Sequence, residues 1–234
     1  MKLLLVDLWG TVFYPNISME EFWRQRAGVL QRELSRLGYA YSLGDVYSAC
    51  KRGRSLVDRI RRATLREVTV EGEVAAILHL LGVEEGPTRT MVEGYLAPYV
   101  DYAVKAPHVE QLLQGARDNG YTVSVASNTM SWRHAVRVLK RLGLLGLFDA
   151  HFYSDVVGWR KPSTSFYRHV LATLRAEPEE TVIIGDEEAD IAAGKLGVKT
   201  ILYEGFHSYE GSLKPSARVK DHLEALRFLE GLRL

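Results

Sequence analysis

Leu3-Leu-Leu-Val6-Asp7-Leu-Trp9-Gly10-Thr11 is the stretch on which the fold turns. Its four leading residues are uniformly apolar, without the alternation of a strand wetted on one face, and predict a short strand buried on both faces. Such strands belong to parallel sheets, whose ligands gather outside the carboxyl ends. Asp7 leaves the strand at that end and enters a Gly-Thr turn, a good position for a nucleophile or a metal ligand. A second apolar run, Thr181–Gly185, ends the same way in Asp186, with Glu187, Glu188 and Asp190 behind it. Carboxylates from two distant segments share one locus only if a cation lies between them or one is protonated. A magnesium ion is the simpler solution.

Between these anchors the chain has two textures. From 19 to 97 apolar residues recur at helical spacing, as in Phe22, Val29, Leu30, Leu34 and Leu37, and predict helices over 19–37, 43–65, 70–81 and 88–97 with no strand among them. Segments 14–18 and 98–107, each carrying proline, read as linkers. Beyond them helices at 108–119, 131–142, 163–174, 188–196 and 219–231 alternate with strands at 121–126, 150–154, 181–185 and 199–203. Alternation of this kind predicts an α/β fold, a doubly wound parallel sheet with helices on both faces. The first strand must join that sheet, because alone it has nothing to bury against. The expected organisation is a core of 1–14 plus 105–234, with a helical cap domain, 15–104, inserted after the first strand. Its two linkers would let the cap open and close over the site.

Composition narrows the class further. A net charge of +1 on 234 residues gives no global attraction to nucleic acid or to a membrane surface. The single cysteine, Cys50, rules out an intrachain disulfide and fits a reducing compartment. The apolar start is too short for a signal peptide, and no run approaches the ~18 apolar residues of a membrane span. A cytoplasmic protein is expected.

The ends of the predicted strands supply the chemistry. Asp7 follows the first, Ser127-Asn128-Thr129 the second, Lys161-Pro162 a loop after the third, and Asp186 with Asp190 the fourth. In this order, on these strand ends, the chain resembles the haloacid dehalogenase superfamily of hydrolases, with a Rossmann-like core and an all-helical cap inserted after the first motif. The resemblance implies phosphoryl transfer through an aspartyl intermediate, with Asp7 as nucleophile. It implies Mg²⁺ held by Asp7, the Trp9 carbonyl and Asp186, with Asp190 as a further ligand or as the holder of a metal-bound water. Ser127 and the Asn128 amide would grip phosphate oxygens, Lys161 would neutralise charge, and Thr11 and Arg24 would contact substrate. The partner implied is a small anionic molecule acted on by a monomer or homodimer, with no nucleic acid and no membrane.

One position departs from the family's phosphatases, which carry a second aspartate two residues after the nucleophile as general acid and base. Here Trp9 stands there, and an indole cannot shuttle a proton. General acid–base help is worth roughly 10²–10⁴-fold, so simple alkyl phosphates are expected to be poor substrates. Haloacid dehalogenases place tyrosine at this position, and Tyr167, six residues after Lys161, matches a tyrosine they use. They use no metal, however, and carry uncharged residues where Asp186 stands. The expectation is therefore a Mg²⁺-dependent phosphatase of small phosphorylated metabolites. A 2-haloacid dehalogenase using Asp7 is one alternative, and a weakly active or non-catalytic binding protein another.

Plainer readings accompany several of these residues. Ser127-Asn128 also suits the cap of the following helix, and Glu187 with Glu188 suits a first turn favoured by the helix dipole. The basic stretch 51–66 sets seven cations against one acid, Asp58, and reads as a solvated helix face, with a face turned toward the core as the alternative. His207, in the loop after the last strand, lies near enough to the site to watch.

Overall fold

The computed structural model describes residues 1–232. The last two residues of the expected core segment, 233–234, lie outside the described residues. Six parallel strands form the sheet: β1 (Leu3–Val6), β4 (Thr122–Ser127), β5 (Ala150–Tyr153), β6 (Thr181–Gly185), β7 (Lys199–Tyr203) and β8 (Ala217–Val219), in the spatial order β5-β4-β1-β6-β7-β8. The chain leaves β1 toward β4 and β5, then returns to lay β6 and β7 on the other side. The carboxyl end of β1 lies at that reversal, where open sheets bind ligands. Leu4 and Val6 join the core on one face of the sheet and Leu3 and Leu5 the core on the other, which is why the run is apolar throughout.

Register places the site. Val6 pairs with Val125 of β4 and with Ile184 of β6, so Asp7, Ser127 and Asp186 emerge side by side from the same edge. The Asp7 amide donates to the Ile184 carbonyl at 3.0 Å, extending the ladder one step before the turn.

The helical insertion runs through α1 (Met19–Arg36), α2 (Leu43–Thr64), α3 (Val70–Leu81) and α4 (Arg89–Asp101). It buries a core of its own built from Trp23, Leu30, Leu34, Val46, Val74, Ile77 and Tyr95, among others. Ser18 caps α1, and Ser42 with Asp45 forms a capping box on α2, so both starts follow from local chemistry.

The expected linkers turned out to be more ordered than their prolines suggest. β2 (Phe13–Pro15) pairs antiparallel with β3 (Ala103–Lys105), and α4 continues through Pro98 to Asp101. Met91, Tyr95, Pro98 and Val100 are buried, and that packing outweighs the one backbone bond proline removes. Two late elements also differ from expectation. The segment predicted as a helix over 219–231 begins as β8 at the sheet edge, and its helix, α10, spans His222–Gly231 with Asp221 as its cap. The helix expected over 188–196 is one α-turn, Glu188–Ile191, continued as a 3₁₀ segment, Ala192–Leu196. α5 (Val109–Asp118), α6 (Trp132–Arg141), α7 (Ser154–Val157), α8 (Thr164–Leu174) and α9 (Glu188–Ile191) complete the layers around the sheet. Among the described residues no helix is long and apolar enough to cross a membrane.

Candidate active site

Three carboxylates meet at the sheet edge. Asp7, Asp186 and Asp190 are buried, and each offers an oxygen within 4.8 Å of the others. Two glycines make this possible. A Cβ at Gly10, whose φ is +85°, would fall 2.0 Å from Asp186 Oδ2, and a Cβ at Gly185 would fall 2.1 Å from Asp190 Cγ. Any larger residue at either point would push a carboxylate out of the cluster.

Lys161 enters from the loop after β5. Its Nζ donates to Asp7 Oδ1 at 2.7 Å and also to Asp190. Burial alone would depress the ammonium, but Asp190 and Asp7 hold its pKa above the ordinary lysine value. Asn128 fixes the lysine's backbone: its amide nitrogen donates to the Lys161 carbonyl at 3.0 Å, and its oxygen accepts from the Lys161 amide at 2.9 Å. The Asn128 side chain therefore positions Lys161. Thr11, expected against substrate, is fully buried and donates to Asp186 Oδ1 at 3.1 Å.

The charges do not balance within the protein. Three carboxylates face one ammonium, leaving two negative charges. Burial and the neighbouring Asp7 raise the Asp186 pKa far above the carboxylate range, and Asp190 is raised by burial too. An all-oxygen donor set with a deficit of two positive charges fits a hard divalent cation such as Mg²⁺. His207 Nδ1 stands 3.4 Å from Asp186 Oδ2 at the rim.

A cavity of about 350 Å³ opens from this cluster toward the helical insertion. Asp7, Lys161, Asp190 and Asn128 line its floor, whereas Ser127 is buried at the end of β4 outside its lining. Trp9 forms a wall, stacked on Tyr99 at 5.2 Å and packed against Phe22 at 5.5 Å. The Trp9 carbonyl belongs to the turn in which the amides of Thr11, Val12 and Phe13 all converge on the Leu8 carbonyl. Arg24 lies elsewhere: it is exposed, pairs with Glu20 at 2.8 Å and covers Tyr47. It is not among the residues that line the cavity, so the expected contact with substrate is not made in this arrangement. Tyr167 is buried and spends its hydroxyl on the Ala189 carbonyl.

The insertion contributes cations to the cavity, and part of the basic segment follows the alternative reading, a face turned toward the core. Arg54 and Arg61 of α2 line the cavity with Asp58, one helical stripe of the basic segment, while Arg52, Arg59 and Arg62 face outward. Arg61 pairs with Asp58 at 3.0 Å, Glu67 at 2.9 Å and the fully buried Glu73 at 3.2 Å. Glu67 also takes Arg160 and Ser154 of the core. Arg26 of α1 lines the cavity as well. Its signal was available: it interrupts the apolar stripe Phe22, Trp23, Ala27, Leu30, Leu34.

Comparison with known proteins agrees with this architecture. The family model for haloacid dehalogenase-like hydrolases matches residues 1–197. The chain belongs to the haloacid dehalogenase-like hydrolase family. Among characterised relatives, phosphoglycolate phosphatase of Aquifex aeolicus is 28% identical over 205 residues, covering 86% of this chain and 84% of that protein. Pyrophosphatase PpaX of Anoxybacillus flavithermus is 34% identical over 94 residues, covering 39% of this chain and 43% of that protein. In fold the chain is similar to a HAD phosphatase from Thermococcus onnurineus, with a TM-score of 0.71 at 22% identity over the whole of both chains. It is also similar to an L-2-haloacid dehalogenase, with a TM-score of 0.67 at 17% identity over 99% of each.

Proposed function

We propose that this hydrolase is a Mg²⁺-dependent phosphatase of small phosphorylated metabolites, working through an aspartyl phosphate on Asp7. The observation that carries the reading is the cluster itself: a carboxylate on a strand end, bonded to a buried ammonium, with two further carboxylates within coordinating reach. A metal-free dehalogenase gains nothing from Asp186 and Asp190, whose charges would repel a haloacid's own carboxylate. Relatives named as phosphatases support the same choice.

In the reaction proposed, an Asp7 oxygen attacks phosphorus as the bond to the leaving oxygen breaks, and the leaving oxygen takes its proton from solvent. Water then attacks phosphorus and frees the Asp7 carboxylate as inorganic phosphate departs. Lys161 neutralises charge shared between Asp7 and the transferred group, which is what phosphoryl transfer chiefly requires of an enzyme. Asp7, Asp186 and Asp190 would hold the cation, which when bound supplies positive charge to the phosphoryl oxygens. Trp9 offers no proton, so esters with good leaving groups are preferred.

Turnover of p-nitrophenyl phosphate with Mg²⁺ and with chelator tests the proposal. Hydrolysis that stops on chelation and returns with Mg²⁺ is expected. No hydrolysis under either condition, together with dechlorination of 2-chloropropionate, would transfer the assignment to the dehalogenases.

A further inference from the structure

Five cationic side chains line the cavity, and four of them are paired. Lys161 holds Asp7 and Asp190, Arg54 holds Asp58 at 2.7 Å, Arg61 holds Asp58, Glu67 and Glu73, and Arg160 holds Glu67. Arg26 is the fifth. It is 3% exposed, its Nε is buried without a hydrogen-bond partner, and among the described residues no carboxylate pairs with it. What surrounds it is aromatic: its guanidinium carbon lies 4.5 Å from the Phe22 ring, 4.7 Å from Tyr95 and 5.1 Å from Trp23. Three π faces soften the cost of burying the charge, but they donate no lone pair to its five N–H groups. A buried cation without an anion is costly, and native proteins tolerate the arrangement where a ligand supplies the missing charge.

We infer that Arg26 receives a carboxylate on the substrate, so that the enzyme acts on small phosphate monoesters carrying a carboxylate at the end opposite the phosphoryl group. The inference rests on the phosphatase reading and extends it from the reacting end to the leaving group. One unpaired guanidinium balances one negative charge, which suits a carboxylate and falls short of a second phosphoryl dianion. Its planar fork matches the two carboxylate oxygens. Position agrees. Phe22, which covers one side of Arg26, packs on Trp9, two residues past the nucleophile. Arg26 and Asp7 line the same cavity, whose volume of about 350 Å³ suits a small metabolite.

The test compares two esters on the Mg²⁺-loaded protein: phosphoglycolate, and phosphoglycolamide, in which an amide replaces the carboxylate. Wild-type kcat/KM should favour phosphoglycolate by at least about 30-fold, the discrimination expected when a site group built for one partner is left unpaired by the other. Arg26→Gln should bring the two within about threefold of each other, chiefly by raising KM for phosphoglycolate, and Arg26→Lys should recover part of the preference by restoring charge without the fork. Calorimetry with glycolate reads the same site without turnover, and binding lost in Arg26→Gln supports the assignment even if no phosphate ester is cleaved, an outcome that would sink the phosphatase reading alone. Equal wild-type turnover of the two esters overturns the assignment and leaves the phosphatase reading standing. That comparison needs no variant, so it can overturn the assignment even if Arg26→Gln does not fold, and in that case a preference undiminished in Arg26→Lys overturns it as well.

Discussion

Trp9 is where packing and chemistry compete for one residue. The ring stacks on Tyr99, meets Phe22 and lies edge-on to Phe13 at 6.1 Å, so it joins the core to the insertion at the cavity wall. Trp9→Asp should therefore do two things at once. It should lower the melting temperature through lost packing, about 2 kcal/mol or more. It should also raise kcat for an alkyl phosphate by at least about tenfold by supplying a general acid. A folded variant with no gain in kcat would show that Trp9 does not stand in an acid's place. Gly10 makes the complementary case. Its positive φ and the 2.0 Å approach of Asp186 leave no room for a methyl group. Gly10→Ala should cut kcat/KM by about 100-fold or more through displacement of Asp186, the carboxylate proposed to hold the cation, as Mg²⁺-saturated assays with p-nitrophenyl phosphate would show. Asp7, Asp186 and Asp190 were legible in the sequence because each follows an apolar strand within a few residues, and Lys161 because its loop follows the strand ending at Tyr153. The work of Thr11 and the Asn128 side chain was not, since both spend their hydrogen bonds on neighbours brought close only by the fold.

Among the elements, α2 shows most clearly why charge patterns mislead. Within its own window the helix has a large excess of cations, and a solvated face is the natural reading. Its balancing anions, Glu67 and Glu73, lie just beyond its end and reach back to Arg61 only after the chain turns at Leu65, whose φ is +53°. The same turn fastens the insertion to the loop leading into Lys161. The Arg160 amide donates to the Leu65 carbonyl at 2.9 Å, Arg66 lies 3.4 Å over the Trp159 ring, and Glu67 takes Arg160 and Ser154. Glu67→Ala leaves the buried Arg61 and the half-buried Arg160 on the two sides of this junction without their shared anion. It should destabilise the protein by about 3 kcal/mol or more in chemical denaturation. A loss below about 0.5 kcal/mol, the level of an exposed pair, would contradict the burial on which this junction depends. The ribbon of β2 and β3 escaped the sequence reading for a related reason: strands of three residues, one of them ending in Pro15, carry too little pattern to be seen apart from their partners.

At the scale of the whole molecule the parallel sheet was readable because its central strands, β1 and β6, are buried on both faces, and helix-strand alternation leaves few topologies. The C-terminal segment was less so, because β8 and α10 are held by contacts from distant parts of the chain. His222 of α10 is fully buried, stacks on Tyr203 at 4.3 Å and donates from Nδ1 to the Pro107 carbonyl at 2.8 Å. Burial lowers its pKa from 6.5 to about 4. The unfolded chain then takes up a proton below pH 6.5 that the native state refuses until about pH 4, so stability falls across that window as pH falls. This one group accounts for about 3 kcal/mol of the loss. Denaturation between pH 7 and pH 4 should show a shallower decline in His222→Phe, and an unchanged slope would remove His222 as its source.

The proposed function sets one requirement, that a divalent cation neutralise the carboxylates of Asp7, Asp186 and Asp190. Calorimetric titration of Mg²⁺ into the wild type and into Asp186→Asn addresses it without reference to any substrate. The account predicts one Mg²⁺ per wild-type chain and an affinity weaker by about 100-fold or more in the variant. Equal binding by both proteins, or no binding by the wild type, would contradict it.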